Sequence, residues 1–300
     1  MSVTLHHLER IFDEIIPVLN DNGANHRFTY AKARRQNDWF FIKIATGEQY
    51  TQNLVNENLW CEFMDRVDVL SPGMKLKGPH IVQKIGHDAL VFEFIDAPMV
   101  ATPGDASAWR THLKRYAETL VKLDTLSGDY SLSHIYTKLN HPYEFDTYSW
   151  RKWVEGNVDP LLVKQAKKLF KKYESNVTLR LQHNDMSPWQ IFEQGDTWII
   201  FDGEKANLQS PRFNDAAQSY VRMHNSAHDA ALAKDFLNTF IVGIGMEYTE
   251  FYPQFIPVLT MRAIESLADS IIDSQHYNYA TEANALVSAC LSGDPGVLIK

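Results

Sequence analysis

Cysteine is scarce in this sequence of 300 residues, which holds only Cys61 and Cys290. No CxxC pair is present, so a zinc site built from cysteines is not expected. Two cysteines in a long chain do not make a disulfide framework, which indicates a reducing cytoplasm. The N-terminus lacks the basic start and unbroken apolar run of a signal peptide, and no apolar run reaches the length of a transmembrane helix. We therefore expect a soluble cytoplasmic protein with no membrane partner.

Positive charge is also limited. Lysine and arginine number 29 against 37 aspartates and glutamates, which gives a formal net charge of −8. The lysine-rich stretch LLVKQAKKLFKKYES, residues 161–175, has the pattern of an amphipathic helix whose lysines face water. No nucleic-acid partner is therefore expected. The acidic balance is compatible with a cationic substrate, although bulk charge affects solubility first.

The sequence changes character about one third of the way along. Between residues 26 and 96, short runs rich in Phe, Ile, Val and Tyr predict strands, and residues 52–67 predict one helix among them. From residue 105 onward, apolar residues recur at steps of three and four, which predicts helices. One strand–turn–strand segment, residues 180–206, interrupts them.

A connector marked by Pro98, Pro103 and Gly104 separates the two parts. We expect an α+β protein with a small strand-rich lobe at residues 1–97 and a larger, mostly helical lobe at residues 98–300.

Polar side chains flank the strand–turn–strand segment. His183, Asp185 and Gln190 lie at one end, and Asp202 ends the last strand just before a glycine. Taken singly, His183 and Asp185 fit a capped turn, and Asp202 fits a strand-end acid. Together they fit phosphoryl transfer, which needs one carboxylate to deprotonate the acceptor hydroxyl. It also needs a second carboxylate and an amide oxygen to hold Mg²⁺.

Two motifs carry a resemblance to a known family. HNDMSPWQ (residues 183–190) and IIFDGEKA (residues 199–206) resemble the H-G-D-x-x-x-x-N loop and the I-D-F/W-E strand end of the aminoglycoside phosphotransferase and choline kinase family. The resemblance implies a two-lobed protein-kinase-like fold. Its N-terminal lobe would be a small antiparallel sheet with one helix, and its C-terminal lobe would be larger and mostly helical.

The resemblance also implies roles for these residues. Asp185 would be the catalytic base and His183 would brace its loop. Gln190 and Asp202 would bind the metal. Downstream, SPRFNDAAQSY resembles the family's G-x-P-x-x-D-L-A segment, with Asp215 as the structural acid.

The strand-rich part contains a lysine in an apolar run, FFIKIA. An unpaired Lys43 would be costly there unless it reached solvent or a partner. In kinases the strand lysine binds phosphate oxygens and pairs with a glutamate of the next helix. Glu57 fits that role, with Glu62 as the rival. NGANHRFTYAKA resembles the family's nucleotide loop and places Gly23 and Asn25 in it.

The segment ALVFEFIDAP resembles the family's connection between lobes. By this resemblance, backbone groups from Glu93 to Ile95 would meet the adenine of a bound nucleotide. ATP or GTP and Mg²⁺ are therefore the expected cofactors.

An aromatic run fits either core packing or a wall of the acceptor site, where aromatic rings can stack on a sugar or a cation. Its members are Tyr143, Phe145, Tyr148, Trp150 and Trp153. Nearby, Asp146 and Glu155 could add negative charge.

These observations favour a small-molecule kinase that transfers the γ-phosphate of ATP or GTP to a hydroxyl of a metabolite or an aminoglycoside-like compound. The alternative is a kinase-like pseudoenzyme that binds nucleotide or a partner without turnover, because Gln190 stands where the family has asparagine. A protein kinase is less favoured, since no A-P-E-type segment follows Asp202. The sequence carries no signal for oligomeric state.

Overall fold

A computed structural model describes residues 5–18, 27–128 and 151–292. The chain divides into two compact units, Met1–Pro98 with Ile191–Ala206, and Met99–Gln190 with Asn207–Lys300. The domain boundary expected after residue 97 stays a prediction. Within the described residues, no helix combines the length and the apolar character needed to cross a membrane.

The first unit is built around an antiparallel sheet. Among its described residues, five strands pair in the order β1-β2-β3-β6-β5. The elements are α1 (Leu5–Leu8), β1 (Glu14–Val18), β2 (Phe28–Arg35), β3 (Asp38–Ala45), α2 (Thr51–Leu70), β4 (Leu76–Lys77), β5 (Ile81–Ile85), β6 (Ala89–Glu93), β8 (Ile191–Gln194) and β9 (Thr197–Ile200), with β7 belonging to the second unit.

Side chains alternate between the two faces of this sheet. Ile42 lies on one face and packs in a cluster with Leu8 of α1. Phe28 lies on the other face and packs in a cluster with Leu54 of α2. Lys43 follows Ile42 and therefore points to the α2 face, which is why an apolar strand can place an ammonium beside a helix.

The hairpin of β8 and β9 carries Asp202 into the first unit. The strands pair antiparallel across a turn in which Gly195 has a positive φ of 63°, and β4 pairs parallel with β9. Phe201, directly after β9, makes edge contacts with Phe41 at 5.6 Å and with Phe92 at 5.3 Å between ring centres. This aromatic contact fixes the strand end against the large sheet.

The second unit is mostly helical. Its elements are α3 (Ala106–Ser127), α4 (Pro160–Tyr173), β7 (Leu179–Gln182), β10 (Asn207–Pro211), α5 (Asn214–Val221), α6 (Ala230–Ile244), α7 (Tyr248–Ile272) and α8 (Ala280–Ser292), with β7 and β10 paired antiparallel. Asp105 caps α3 by accepting a hydrogen bond from the Ala108 amide at 2.9 Å.

The predicted α+β architecture is confirmed. The strands expected between residues 26 and 96 are β2, β3, β5 and β6, and the helix expected at 52–67 is α2. The sequence patterns do not predict β1 or α8.

Candidate active site

A buried lysine is the centre of the first unit's polar cluster. Lys43 Nζ lies 2.7 Å from Glu57 Oε2, 2.7 Å from Asp202 Oδ1 and 2.8 Å from Glu204 Oε2. Strand β3 supplies the lysine, α2 supplies Glu57, and the turn after β9 supplies the other two acids. Glu62, the rival partner, is exposed and accepts a hydrogen bond from Asn58 instead.

Glu204 is a member of the cluster that the sequence reasoning missed. Its carboxylate joins Lys43 to Arg27, whose Nη1 lies 2.7 Å from Glu204 Oε1. The side chain is only 3% exposed, whereas that of Asp202 is 29% exposed. Of the two acids in the turn, Asp202 is therefore the one that faces solvent. A second acid two residues after Asp202, in the D-G-E run, is the signal that could have identified Glu204.

Helix α2 also holds the turn that bears the acids. Asn56 Nδ2 donates to the Glu204 carbonyl at 3.0 Å, and Trp60 Nε1 donates to the Ile200 carbonyl at 3.3 Å. A Cβ on Gly203 would lie 2.2 Å from the Trp60 ring, so glycine is needed there for close approach. Asp202 itself adopts the left-handed φ of 65°, a conformation that aspartate tolerates better than most residues.

The cluster perturbs the titration of its members. Burial alone lowers the pKa of Lys43, but Asp202, Glu57 and Glu204 outweigh it and raise that pKa well above its ordinary value. Burial raises the pKa of Glu57 to about 7, with Lys43 opposing the rise and the neighbouring carboxylates adding to it. The three carboxylates of the cluster thus share two cations, Lys43 and Arg27.

The donor set fits a divalent cation. Glu57, Asp202 and Glu204 each offer a carboxylate oxygen within 4.8 Å of the others. Oxygen atoms of this kind are the ligands that Mg²⁺ prefers. Glu57 Oε1 is buried and has no hydrogen-bond partner within residues 5–18, 27–128 and 151–292, so it can still accept a bond.

The second unit holds the loop with Asp185. Both carboxylate oxygens of Asp215 are engaged at its start, since the amides of His183 and Asn184 each donate to Asp215 at 2.7 Å. Asn184 has a positive φ of 68°, which turns the chain sharply just before Asp185. Burial raises the pKa of Asp215, although His183, the two amides and Arg262 oppose the rise.

Further hydrogen bonds brace the same loop. Arg262 of α7 donates to the Asn184 carbonyl at 3.1 Å and to the Asn214 side chain at 2.9 Å. Asn214 in turn donates to the Asn184 side chain at 2.6 Å, and the Tyr116 hydroxyl of α3 donates to the Met186 carbonyl at 3.3 Å. Asp185 is thus presented on a loop tied to three helices.

The other predicted site residues lie apart from the Lys43 cluster or outside the described residues. His183 is fully buried at the loop start. Gln190 is 9% exposed, and its backbone N–H donates to the Ser187 carbonyl at 2.9 Å. Both lie in the second unit, whereas Lys43, Glu57 and Asp202 come together in the first. Gly23, Asn25 and most of the aromatic run lie outside the described residues; its last member, Trp153, donates to Asp269 at 2.7 Å.

The segment expected to meet adenine adjoins a cavity of the first unit. The cavity has a volume of about 590 Å³, and its lining includes Lys32, Trp39, Glu93 and Phe94. Lys32 Nζ lies 4.4 Å from the centre of the Trp39 ring and 4.1 Å from that of Phe94. The amides of Glu93 and Phe94 donate to His80 and Trp39 carbonyls within the unit. Ile95 is partly buried two residues beyond β6.

Comparison with solved structures decides the fold. Spectinomycin phosphotransferase, in complex with ADP and spectinomycin, has a TM-score of 0.58 and 14% sequence identity, covering 99% of this chain and 97% of that chain. The chain has the fold of the aminoglycoside phosphotransferases and choline kinases. The predicted kinase-like fold is therefore confirmed.

Two other neighbours cover the chain as fully. Macrolide 2'-phosphotransferase from Brachybacterium faecium has a TM-score of 0.58 and 11% identity, over 97% of this chain and 98% of that chain. Choline kinase from Streptococcus pneumoniae has a TM-score of 0.56 and 12% identity, over 96% and 97%. No family model matches the sequence, and no curated protein does. At these identities, the likeness concerns the fold.

Proposed function

We propose that this protein is a small-molecule kinase that transfers the γ-phosphate of ATP or GTP to an alcohol group. The observation that carries the proposal is the buried Lys43, held by Glu57 of the next helix and by Asp202 after the hairpin, each at 2.7 Å. A structural ion pair needs one acid for one base. Lys43 also contacts Asp202 at the end of β9, and the Asp202 side chain is 29% exposed. A lysine in this position is suited to binding the phosphate groups of a ligand that enters from solvent.

The first unit would bind the nucleotide. Lys43 would contact phosphate oxygens, and Asp202 would hold Mg²⁺. The metal supplies neutralisation of phosphate charge when it is bound. Gly23 and Asn25 would cover the phosphates, and backbone groups from Glu93 to Ile95 would meet the adenine at the cavity that Lys32 lines.

The second unit would bind and activate the acceptor. Asp185 is partly exposed at the tip of a loop that Asp215 and Arg262 hold rigid. A carboxylate in this setting can accept the proton of an acceptor hydroxyl as that oxygen attacks phosphorus. His183 would keep the loop in shape from its buried position.

A transfer screen tests the proposal directly. Protein with Mg·ATP or Mg·GTP is offered aminoglycosides, macrolides, amino alcohols, sugars and hydroxy acids, and the phosphorylated product is detected by mass spectrometry. We expect transfer to at least one class, and we expect Asp185→Asn to reduce the rate by about 10²–10⁴-fold while leaving nucleotide binding intact.

Two outcomes would count against this function. If nucleotide binds but no acceptor is phosphorylated, the pseudoenzyme alternative is favoured, and Gln190 is the residue to examine. If neither nucleotide stabilises the protein in the presence of Mg²⁺, the kinase function is wrong, and only a pseudoenzyme that binds a partner is left of the alternative.

A further inference from the structure

Arg222 is an arginine whose donors are poorly matched within the protein. It begins a π-helical segment, Arg222–Ser226, directly after α5, and such segments are frequent at functional sites. Its Nε atom is buried and has no hydrogen-bond partner among the described residues. Nη1 reaches only the Tyr279 hydroxyl, at 3.4 Å, which is longer than a usual N–H···O bond. The guanidinium carbon lies 5.7 Å from the centre of the Trp189 ring.

Two other partly buried arginines of the same unit form ion pairs. Arg212 donates to both carboxylate oxygens of Asp124, with its shortest contact at 2.7 Å. Arg262 pairs with Glu265 at 2.8 Å and donates to Asn214. A buried charged donor without a partner is costly, so the exception at Arg222 calls for a partner that is not part of the described chain.

Arg222 lies against the loop that carries the proposed base, because its guanidinium carbon is 5.7 Å from the ring of Trp189 in that loop. Burial lowers the pKa of its guanidinium, but Tyr279, Asp185 and Asp269 outweigh burial and raise that pKa. Asp185 and Asp269 therefore act on Arg222 electrostatically, yet among the described residues no carboxylate oxygen lies close enough to form an ion pair with it. Asp269 is engaged by Trp153 Nε1 at 2.7 Å.

We propose that Arg222 binds a carboxylate of the acceptor, so that the acceptor is a small hydroxy acid whose hydroxyl meets Asp185. A guanidinium presents its donors as a planar fork that matches two carboxylate oxygens, and such bonds are stronger than neutral ones. Trp189 supplies an aromatic surface beside the fork.

This inference rests on the proposed kinase function and adds the class of substrate. Two other roles for Arg222 predict different results. If it contacts the transferred phosphoryl group, its loss should slow transfer to every acceptor alike. If it only holds an ordered water, its loss should leave the kinetics of all acceptors unchanged.

Matched acceptors separate these roles. A panel of short hydroxy acids is compared with the corresponding primary amides, which keep size and hydroxyl but lack the charge. We expect kcat/KM to favour the acids by about 10–100-fold. Arg222→Gln should remove the preference, and Arg222→Lys should retain part of it because lysine keeps the charge but not the fork. Arg110→Gln, which removes an exposed guanidinium of α3, should leave the preference unchanged.

A binding measurement separates the failure of this inference from the failure of the kinase function. The Asp185→Asn variant is titrated with the same acids and amides, and heat or a shift in melting temperature is recorded without any transfer. We expect the acids to bind and the amides to bind at least tenfold more weakly, with the difference lost in Asp185→Asn/Arg222→Gln. Acid binding without phosphorylation by the wild type would overturn the kinase function and leave the Arg222 site intact.

The inference is overturned if acids and amides bind and react equally, or if only neutral and cationic acceptors are phosphorylated. It is also overturned if Arg222→Gln lowers the rate for acids and amides by the same factor. We expect the Arg222→Gln variant to fold, because Arg222 forms no ion pair within the part of the chain that the structure describes.

Discussion

Lys43 shows how one residue sets the chemistry of the first unit. Its ammonium is completely buried and meets three carboxylates, although one would satisfy the charge. Carboxylates this close repel one another, and burial strengthens the repulsion. The surplus acid is held in place by Arg27 and by the fold, so the cluster is poised to accept a further cation.

Glu57 should make the stability of the protein depend on pH. Its pKa is raised from 4.5 to about 7 in the folded state. Between those values the folded protein keeps a proton that the unfolded chain has lost, so the free energy of unfolding falls as pH rises. We expect this fall to be smaller in Glu57→Gln, by up to about 3 kcal/mol between pH 4.5 and pH 7.5. Urea unfolding of both proteins at several pH values measures it, and parallel profiles would refute the assignment.

Gln190 decides whether the site is active or has decayed. If its amide oxygen binds Mg²⁺, Gln190→Ala should lose most transfer activity and need more Mg²⁺, whereas Gln190→Asn should keep or increase activity. If the residue only braces its loop, Ala should lower stability by about 0.5–1.5 kcal/mol without changing the metal dependence. Rates measured against Mg²⁺ concentration for the three proteins separate these cases. A wild-type Mg²⁺ profile in the Ala variant would exclude the ligand role.

At the scale of elements, side-chain contacts hold α2 and the turn with Asp202 together. The helix supplies Glu57 to Lys43, Asn56 to the Glu204 carbonyl and Trp60 to the Ile200 carbonyl. Trp60 lies one helical turn after Asn56 and Glu57, so a shift of the helix would disturb all three contacts together.

Gly203→Ala should push the turn with Asp202 away from α2. The added Cβ would lie 2.2 Å from the Trp60 ring, and overpacking of this kind costs about 1–3 kcal/mol. We expect lower stability and weaker nucleotide binding, measured by chemical unfolding and by calorimetry. Gly73→Ala is the matched control, since nothing lies within 4 Å of that position. Trp60→Leu combined with Gly203→Ala should recover part of the loss, and a double variant no better than Gly203→Ala would contradict the steric explanation.

The elements that the sequence predicted carry a local apolar pattern. Strand β3 contains the apolar run FFIKIA, and α2 has apolar residues three and four positions apart, so both could be recognised locally. Strand β1 could not, because Pro17 interrupts a short edge strand that has a partner on one side only.

Prediction of the site residues was also limited to what local sequence patterns show. Lys43 and Asp202 were expected to take part in one binding function, and the structure brings them together from positions 159 residues apart. Glu204 and Arg222 were not expected. The role of each depends on what the fold places beside it. Glu204 lies between Arg27 and Lys43, and Arg222 has no ion-pair partner among the described residues.

At the scale of the whole molecule, nucleotide binding should raise the melting temperature. A ligand at one hundred times its Kd stabilises the folded state by about 2.7 kcal/mol. For a protein of this size, that corresponds to a rise of several degrees, at roughly 2–4 °C per kcal/mol. Thermal unfolding with Mg·ATP and Mg·GTP measures the effect. Asp185→Asn should keep the shift and Asp202→Asn should lose most of it; the reverse pattern would show that the two acids have been exchanged.

The discontinuous chain of the first unit has a consequence for its synthesis. Residues 1–98 leave the ribosome long before residues 191–206, which complete the same unit. At a translation speed of about 5–20 residues per second, the early strands wait roughly 5–20 s for that hairpin. During this interval Lys43 has Glu57 but neither Asp202 nor Glu204, and Phe41 and Phe92 lack the ring of Phe201. A nascent chain of this protein therefore exposes an apolar sheet face until residues 191–206 have been synthesised, and this is the period in which a chaperone would be needed most.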